Sequence, residues 1–198
     1  MDESTPAVVR VKNKYGQTEY HVTGMYDWDN FDSLIKELKK LDKKFLLLIL
    51  SEKTQKNFIK YFDNNNNYDK IKFVKLPFFT YDKYEELLAL CDFNLVRGED
   101  SFVRALLLGK PFLWHIYPQD ENTHIKKLES FLEKYCSNNK ELKQTFINYN
   151  INKDDFSYFF KNFKEIEKYN KNYANYLIKN CNLMEKLINF IENIGGKN

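Results

Sequence analysis

Arg97, Glu99, Asp100, Ser101, Tyr117 and Gln119 place a guanidinium, two carboxylates, two hydroxyls and an amide in one short stretch of the chain. An arginine at a strand end beside a helix N-terminus can hold a diphosphate bidentately, helped by free backbone N–H groups. It can equally pair with Glu99 or Asp100 and merely fix the turn. Glu99 and Asp100 are candidate acids, bases or ribose ligands, and either can instead be a helix cap; for Asp100 cap and ligand are compatible roles. Tyr117 follows an apolar run and either meets a ligand or packs its loop. Phe78 and Phe79 follow Leu76-Pro77, where one ring can stack on a base while the other fills the core. Arg104 lies inside a helix and reads as packing or ion-pairing. His115 reads as a core histidine, and His124 as half exposed at the rim of the same region.

The elements that must position these residues can be read from the run CDFNLVRGEDSFVRALLLGKPFLWHIYPQ, residues 91–119. Residues 93–96 form a short apolar strand, broken at Gly98. Asp100 or Ser101 is expected to cap a helix over 102–108 that stops at Gly109. A second strand follows over 112–116, completing a βαβ unit. In open α/β sheets ligands collect at the carboxyl ends of strands, and both groups of candidates sit at such ends.

Upstream, residues 7–12 and 20–22 flank Gly16 as a small hairpin. Asp29 or Asn30 is positioned to cap a helix reaching about residue 41, with Phe31, Leu34, Ile35 and Leu38 on one face. The near-continuous apolar run 44–50 suits a central parallel strand. A helix over 52–62, a loop over 64–67, a strand over 71–76 and a helix over 82–90 follow. Downstream, a helix over 123–135 carries Ile125, Leu128, Phe131 and Leu132, and beyond Asn138 the chain reads as helical to its end, through 156–163 and 173–194. The expected class is α/β: a Rossmann-like parallel sheet flanked by helices, with a helical C-terminal region. The chain divides into an N-terminal segment of unassigned role (1–43), the Rossmann-like core (44–136) and C-terminal helices packing on it (137–198).

Composition narrows the function classes. With 198 residues, 43% hydrophobic and 30% charged, the chain has the balance of a folded globular protein with one good core. Its 31 basic and 28 acidic residues give a net charge of only +3, without the clustered excess of a nucleic-acid footprint. GxGxxG, Walker, HExxH and GxSxG motifs are missing, so hydride transfer, ATP hydrolysis, zinc proteolysis and serine hydrolysis lack support. The 3 cysteines include no CxxC and read as idle thiols in a reducing compartment. The N-terminus shows no signal-peptide pattern, and the apolar run 45–50 is too short to span a bilayer. A cytoplasmic protein without a membrane partner is expected.

VRGEDSFVRA, GKPFLWHIYPQ, and then His124 with Lys127-Leu128 and Phe131-Leu132, resemble the carboxyl-terminal half of the EarP family. LPFFTYDKYEELLALCDFNLVRGED resembles the stretch leading into that motif. These are protein-arginine rhamnosyltransferases acting on elongation factor P. The resemblance implies one half of a two-domain GT-B glycosyltransferase. Such an enzyme moves rhamnose from dTDP-β-L-rhamnose to an arginine with inversion, and needs no metal or cofactor. By position, Phe78 is expected to stack on thymine, with Arg97, Asp100, Ser101, Tyr117 and Gln119 as donor contacts and Tyr117 and Glu99 as catalytic candidates. The family's glycine-rich opening, with its acceptor-side aspartates, has no counterpart in residues 1–41, and nothing ties Asp27 or Asp29 to that role. Leu50-Ser51-Glu52 stands where the family has an aromatic, and Tyr81 where a polar base contact is expected. The chain thus reads as the donor-binding half; the rival expectation is a non-catalytic module binding elongation factor P or a partner subunit.

Overall fold

The computed structural model describes residues 11–12, 18–23, 31–41, 43–50, 52–63, 70–77, 79–153 and 155–195. In chain order they form β1 (Val11–Lys12), β2 (Thr18–Thr23), α1 (Phe31–Lys40), β3 (Phe45–Ile49), α2 (Glu52–Asp63), β4 (Ile71–Lys75), α3 (Tyr81–Leu90) and β5 (Asn94–Arg97). There follow α4 (Glu99–Leu107), β6 (Phe112–His115), a 3-10 turn (Asp120–Asn122), α5 (Thr123–Tyr135), α6 (Lys140–Asn150), α7 (Ser157–Lys161), α8 (Phe163–Asn180) and α9 (Leu183–Gly195). The architecture is mixed α/β, rich in helix, with small parallel sheets.

β3 is apolar on both faces because it is a central strand: Phe45, Leu47, Leu48 and Ile49 are buried, and it pairs in parallel with both β2 and β4. β5 and β6 form a second parallel pair, Asn94 opposite Phe112 and Arg97 opposite His115. The two sheets meet where β2 and β5 bring Cα atoms within 8 Å. β1 joins β2 antiparallel, Val11 opposite Glu19, as the hairpin expectation required. Beyond that expectation, β2 is also a parallel strand of the main sheet, so residues before 44 contribute to it.

Helical periodicity decides which faces are buried. α1 turns Phe31, Leu34, Ile35 and Leu38 inward, and α5 buries His124, Leu128, Leu132 and Tyr135, each an i, i+3/i+4 stripe. Over β6 an aromatic layer forms. Phe102 of α4 stacks on Trp114 at 4.0 Å and 14°, and Phe131 of α5 meets Phe102 edge-on at 4.8 Å.

The C-terminal helices are bound to this half by polar ties as well as by apolar contact. Asn170 of α8 is 1% exposed; it donates to the Lys110 carbonyl at 2.7 Å and accepts from the Tyr135 hydroxyl. Gly109 (φ 66°) ends α4, and a Cβ there would lie 3.0 Å from Lys171 Cα. Asn150, at the end of α6, accepts from the Ile116 N–H at 2.8 Å and donates to the Trp114 carbonyl at 2.9 Å. Its amide thus takes the place of a neighbouring strand at the end of β6.

Three expectations need correction. α4 begins at Glu99, and its N-cap is Gly98 rather than Asp100 or Ser101. The expected helix over 156–163 is instead a short α7 that stops at Lys161, with α8 starting at Phe163. The expected helix over 173–194 is split between α8 and α9, interrupted at Cys181 and Asn182. The expected Asp29 or Asn30 cap, the turn at Gly16, the loop over 64–67 and Phe78 lie outside the described residues. Cys91 and Cys136 are buried, Cys181 is exposed, and all three are unbridged. Burial pushes the Cys136 thiol up to about 12, which keeps it from forming a reactive thiolate.

Candidate functional site

The site is built on the carboxyl end of β5. Gly98 leaves the strand with φ 74° and ψ 178°, a backbone region that essentially only glycine occupies. Its missing side chain is also a matter of space: a Cβ would stand 2.8 Å from Tyr117 Cε2 and 3.2 Å from the Tyr117 hydroxyl. The Tyr117 ring therefore closes against the backbone that opens α4. The Arg97 guanidinium lies 4.9 Å from the centroid of that ring, a cation–π distance. Arg97 is 8% exposed and Ser101, on the first turn of α4, is 6% exposed. A helix's first N–H groups lack intrahelical partners and favour an anion, so charge, ring and helix tip converge at one place.

Tyr117 is held from beyond as well. The His124 Nδ1 accepts from the Gln119 N–H at 3.1 Å, which ties the 117–119 segment to the start of α5. His124 is 8% exposed, on the buried face of α5, which corrects the half-exposed expectation. The Gln119 side chain is at the surface, its Oε1 accepting from the Thr123 hydroxyl at 3.3 Å.

The two carboxylates turn outward. Glu99 pairs with Lys127 of α5, and Asp100 pairs with Arg104 Nε at 2.8 Å. Arg104 also binds Glu85 of α3, with its guanidinium 5.3 Å from the Tyr81 ring centroid. Arg104 thus staples α3 to α4, and Tyr81 belongs to that staple. The Asp100–Arg104 half is visible in the i, i+4 spacing; the Glu85 half has no local signal.

On β6, His115 faces Arg97 in register, and its carbonyl accepts from the Gly98 N–H at 3.4 Å. Its ring meets Tyr149 edge-on at 5.8 Å. Burial, then the Arg97 charge and His124, press the imidazole pKa down to about 4. The expected core histidine is only partly one: its Nδ1 is buried without a hydrogen-bond partner among the described residues. Among the described residues no group of His, Cys, Asp and Glu is arranged to hold a metal ion, and no described helix is long and apolar enough to cross a membrane.

The fold and site define a small α/β unit with an anion-receptive strand end, and comparison with known proteins supplies its family. Residues 8–192 match the family described as Elongation-Factor P (EF-P) rhamnosyltransferase EarP. The chain belongs to the EarP family. It is similar to the protein-arginine rhamnosyltransferase of Pseudomonas aeruginosa, 58% identical over 69 residues, covering 35% of this chain and 18% of that protein. With the Neisseria meningitidis serogroup B protein of the same name it shares 56% identity over 64 residues, 32% of this chain and 17% of that one. A Pseudomonas putida counterpart is 63% identical over 60 residues, 30% of this chain and 16% of the relative. A solved structure described as the structural basis for EarP-mediated arginine glycosylation of translation elongation factor EF-P superposes with a TM-score of 0.68 at 23% identity. That superposition covers 88% of this chain and 61% of the other. The matched segments thus span under a fifth of the curated relatives' lengths and 61% of the solved chain.

Proposed function

We propose that this chain is the donor-binding, Rossmann-like half of an inverting GT-B glycosyltransferase. Its donor is dTDP-β-L-rhamnose and its acceptor an arginine of elongation factor P, with acceptor-side groups supplied from elsewhere in cis or trans. β2 of the four-stranded sheet and β5 of the two-stranded one come within 8 Å at Cα. In doubly wound arrangements the ligand crevice opens where the strand order reverses, and we place it between β2 and β5. The observation that carries the reading is the buried Arg97 laid on Tyr117 beside the open tip of α4.

During transfer a guanidine nitrogen attacks the anomeric carbon as that carbon's bond to the diphosphate oxygen breaks, and the proton the nitrogen sheds passes to a base among the acceptor-side groups supplied from elsewhere. The leaving dTDP gains negative charge, and donors aimed at developing charge lower that barrier. Arg97, the Ser101 and Tyr117 hydroxyls and the α4 N–H groups fill this role. Glu99 is an exposed carboxylate at the same turn, available to orient an incoming guanidinium if Lys127 releases it. Asp100 acts at one remove, through Arg104. Phe78 stacking on thymine and Gln119 at the sugar complete the proposed donor contacts. The proposed reaction uses no metal or cofactor and takes place in the cytoplasm.

Titration calorimetry with dTDP, UDP and GDP tests the proposal. Selective binding of dTDP supports it, and silence with all three overturns it. If elongation factor P binds while every nucleotide fails, the chain is a non-catalytic interaction module instead.

A further inference from the structure

His115 has no task in the site described above, yet it occupies a telling position. Residues opposite one another on parallel strands point to the same face of a sheet, so Arg97 and His115 present their side chains side by side at the strand ends. The Tyr149 ring fixes the imidazole edge-on, and Nδ1 lies buried without a partner among the described residues. Among the described residues the groups facing it are Arg97 from β5, His124 from α5 and Tyr149 from α6. Arg97 is a fixed cation, His124 another imidazole and Tyr149 a phenol, so this set disfavours an imidazolium while no anion is present.

We propose that His115 backs Arg97 as a second, proton-dependent cation of the donor site. The inference rests on the donor-binding reading above. When a diphosphate settles on Arg97, its negative charge offsets the repulsion between guanidinium and imidazolium. His115 then takes a proton from solvent, and the bound anion is held by two positive groups rather than one. It is a positioning residue: it tunes how firmly the diphosphate is held and makes that grip depend on pH. An opposite charge a few ångströms away raises an imidazole pKa by about 1–3 units. Binding is therefore expected to tighten about three- to tenfold between pH 7.5 and 5.5.

The experiment is calorimetry of the full chain with dTDP-rhamnose at both pH values, in buffers of different ionisation enthalpy. The sugar ester is used because a terminal phosphate itself titrates near pH 6. His115→Gln and His115→Phe are measured alongside, with thermal melts confirming their folding. Expected are net proton uptake and tighter binding at pH 5.5 for the parent. At pH 7.5 both variants should bind within about twofold of the parent, because a neutral imidazole adds no charge to the site; at pH 5.5 the uptake should be gone. Nucleotide binding without uptake, or uptake that persists in the variants, overturns the role of His115 and leaves the donor site standing. Failure to bind at either pH refutes the donor site itself, and the role of His115 falls with it.

Discussion

Arg97 and Gly98 do opposite things by the same means, one through its side chain and the other through lacking one. A buried guanidinium that bonds an anion contributes about 1.5–3 kcal/mol. Arg97→Ala is therefore expected to weaken dTDP binding by roughly ten- to a hundredfold, as calorimetry reads directly, while the domain still melts cooperatively. Gly98→Ala acts on the fold first. Alanine at φ 74° is strained by about 1–3 kcal/mol, and its Cβ would meet the Tyr117 ring at 2.8 Å. A drop in melting temperature of several degrees is expected, together with weaker nucleotide binding as the ring is pushed off Arg97. His115 adds an acid liability. Its pKa is about 4 in the fold against about 6.5 in the unfolded chain, so between these values the unfolded state holds more protons. The stability it contributes is complete above about pH 6.5 and lost as pH falls toward 4, by at most about 3 kcal/mol. Urea titrations from pH 7 to 4 should show a shallower loss in His115→Phe than in the parent.

At the scale of elements, the site depends on how the ends of β5 and β6 are finished. The Asn150 amide holds Trp114 and Ile116, and the chain reaches Tyr117 immediately afterwards. Asn150→Ala removes both bonds and leaves a part-buried N–H and carbonyl to find water. The expected cost is about 1–3 kcal/mol, with amide exchange sped up more at Ile116 than within β6. Elements governed by local pattern were legible in advance. The spacing of Leu128, Leu132 and their neighbours places α5 at Thr123–Tyr135, where it is found, and the doubly apolar β3 reads as the central strand it is. The start of α4 was misread because Glu99, Asp100 and Ser101 are good cap residues by type. The actual cap is set by a backbone angle at Gly98 that residue type only permits. The break between α8 and α9 falls at Cys181-Asn182, where no proline or glycine announces it.

Over the whole molecule, what stayed hidden was long-range. Nothing local indicates that β2 pairs with β3 or that Glu85 reaches Arg104. Arg97, Ser101 and Tyr117 could be picked out as candidates because they flank strand ends. That the Tyr117 ring lies on Arg97 follows only from the packing of β5 and β6 together. The amide of Asn150 has one further effect. A sheet's last strand ordinarily offers a row of free donors and acceptors on which a stray peptide or a sister molecule can add itself. Here two of those places, at the Tyr117 end of β6, are already filled by the molecule's own side chain. A strand adding itself to that edge would first have to displace the Asn150 amide.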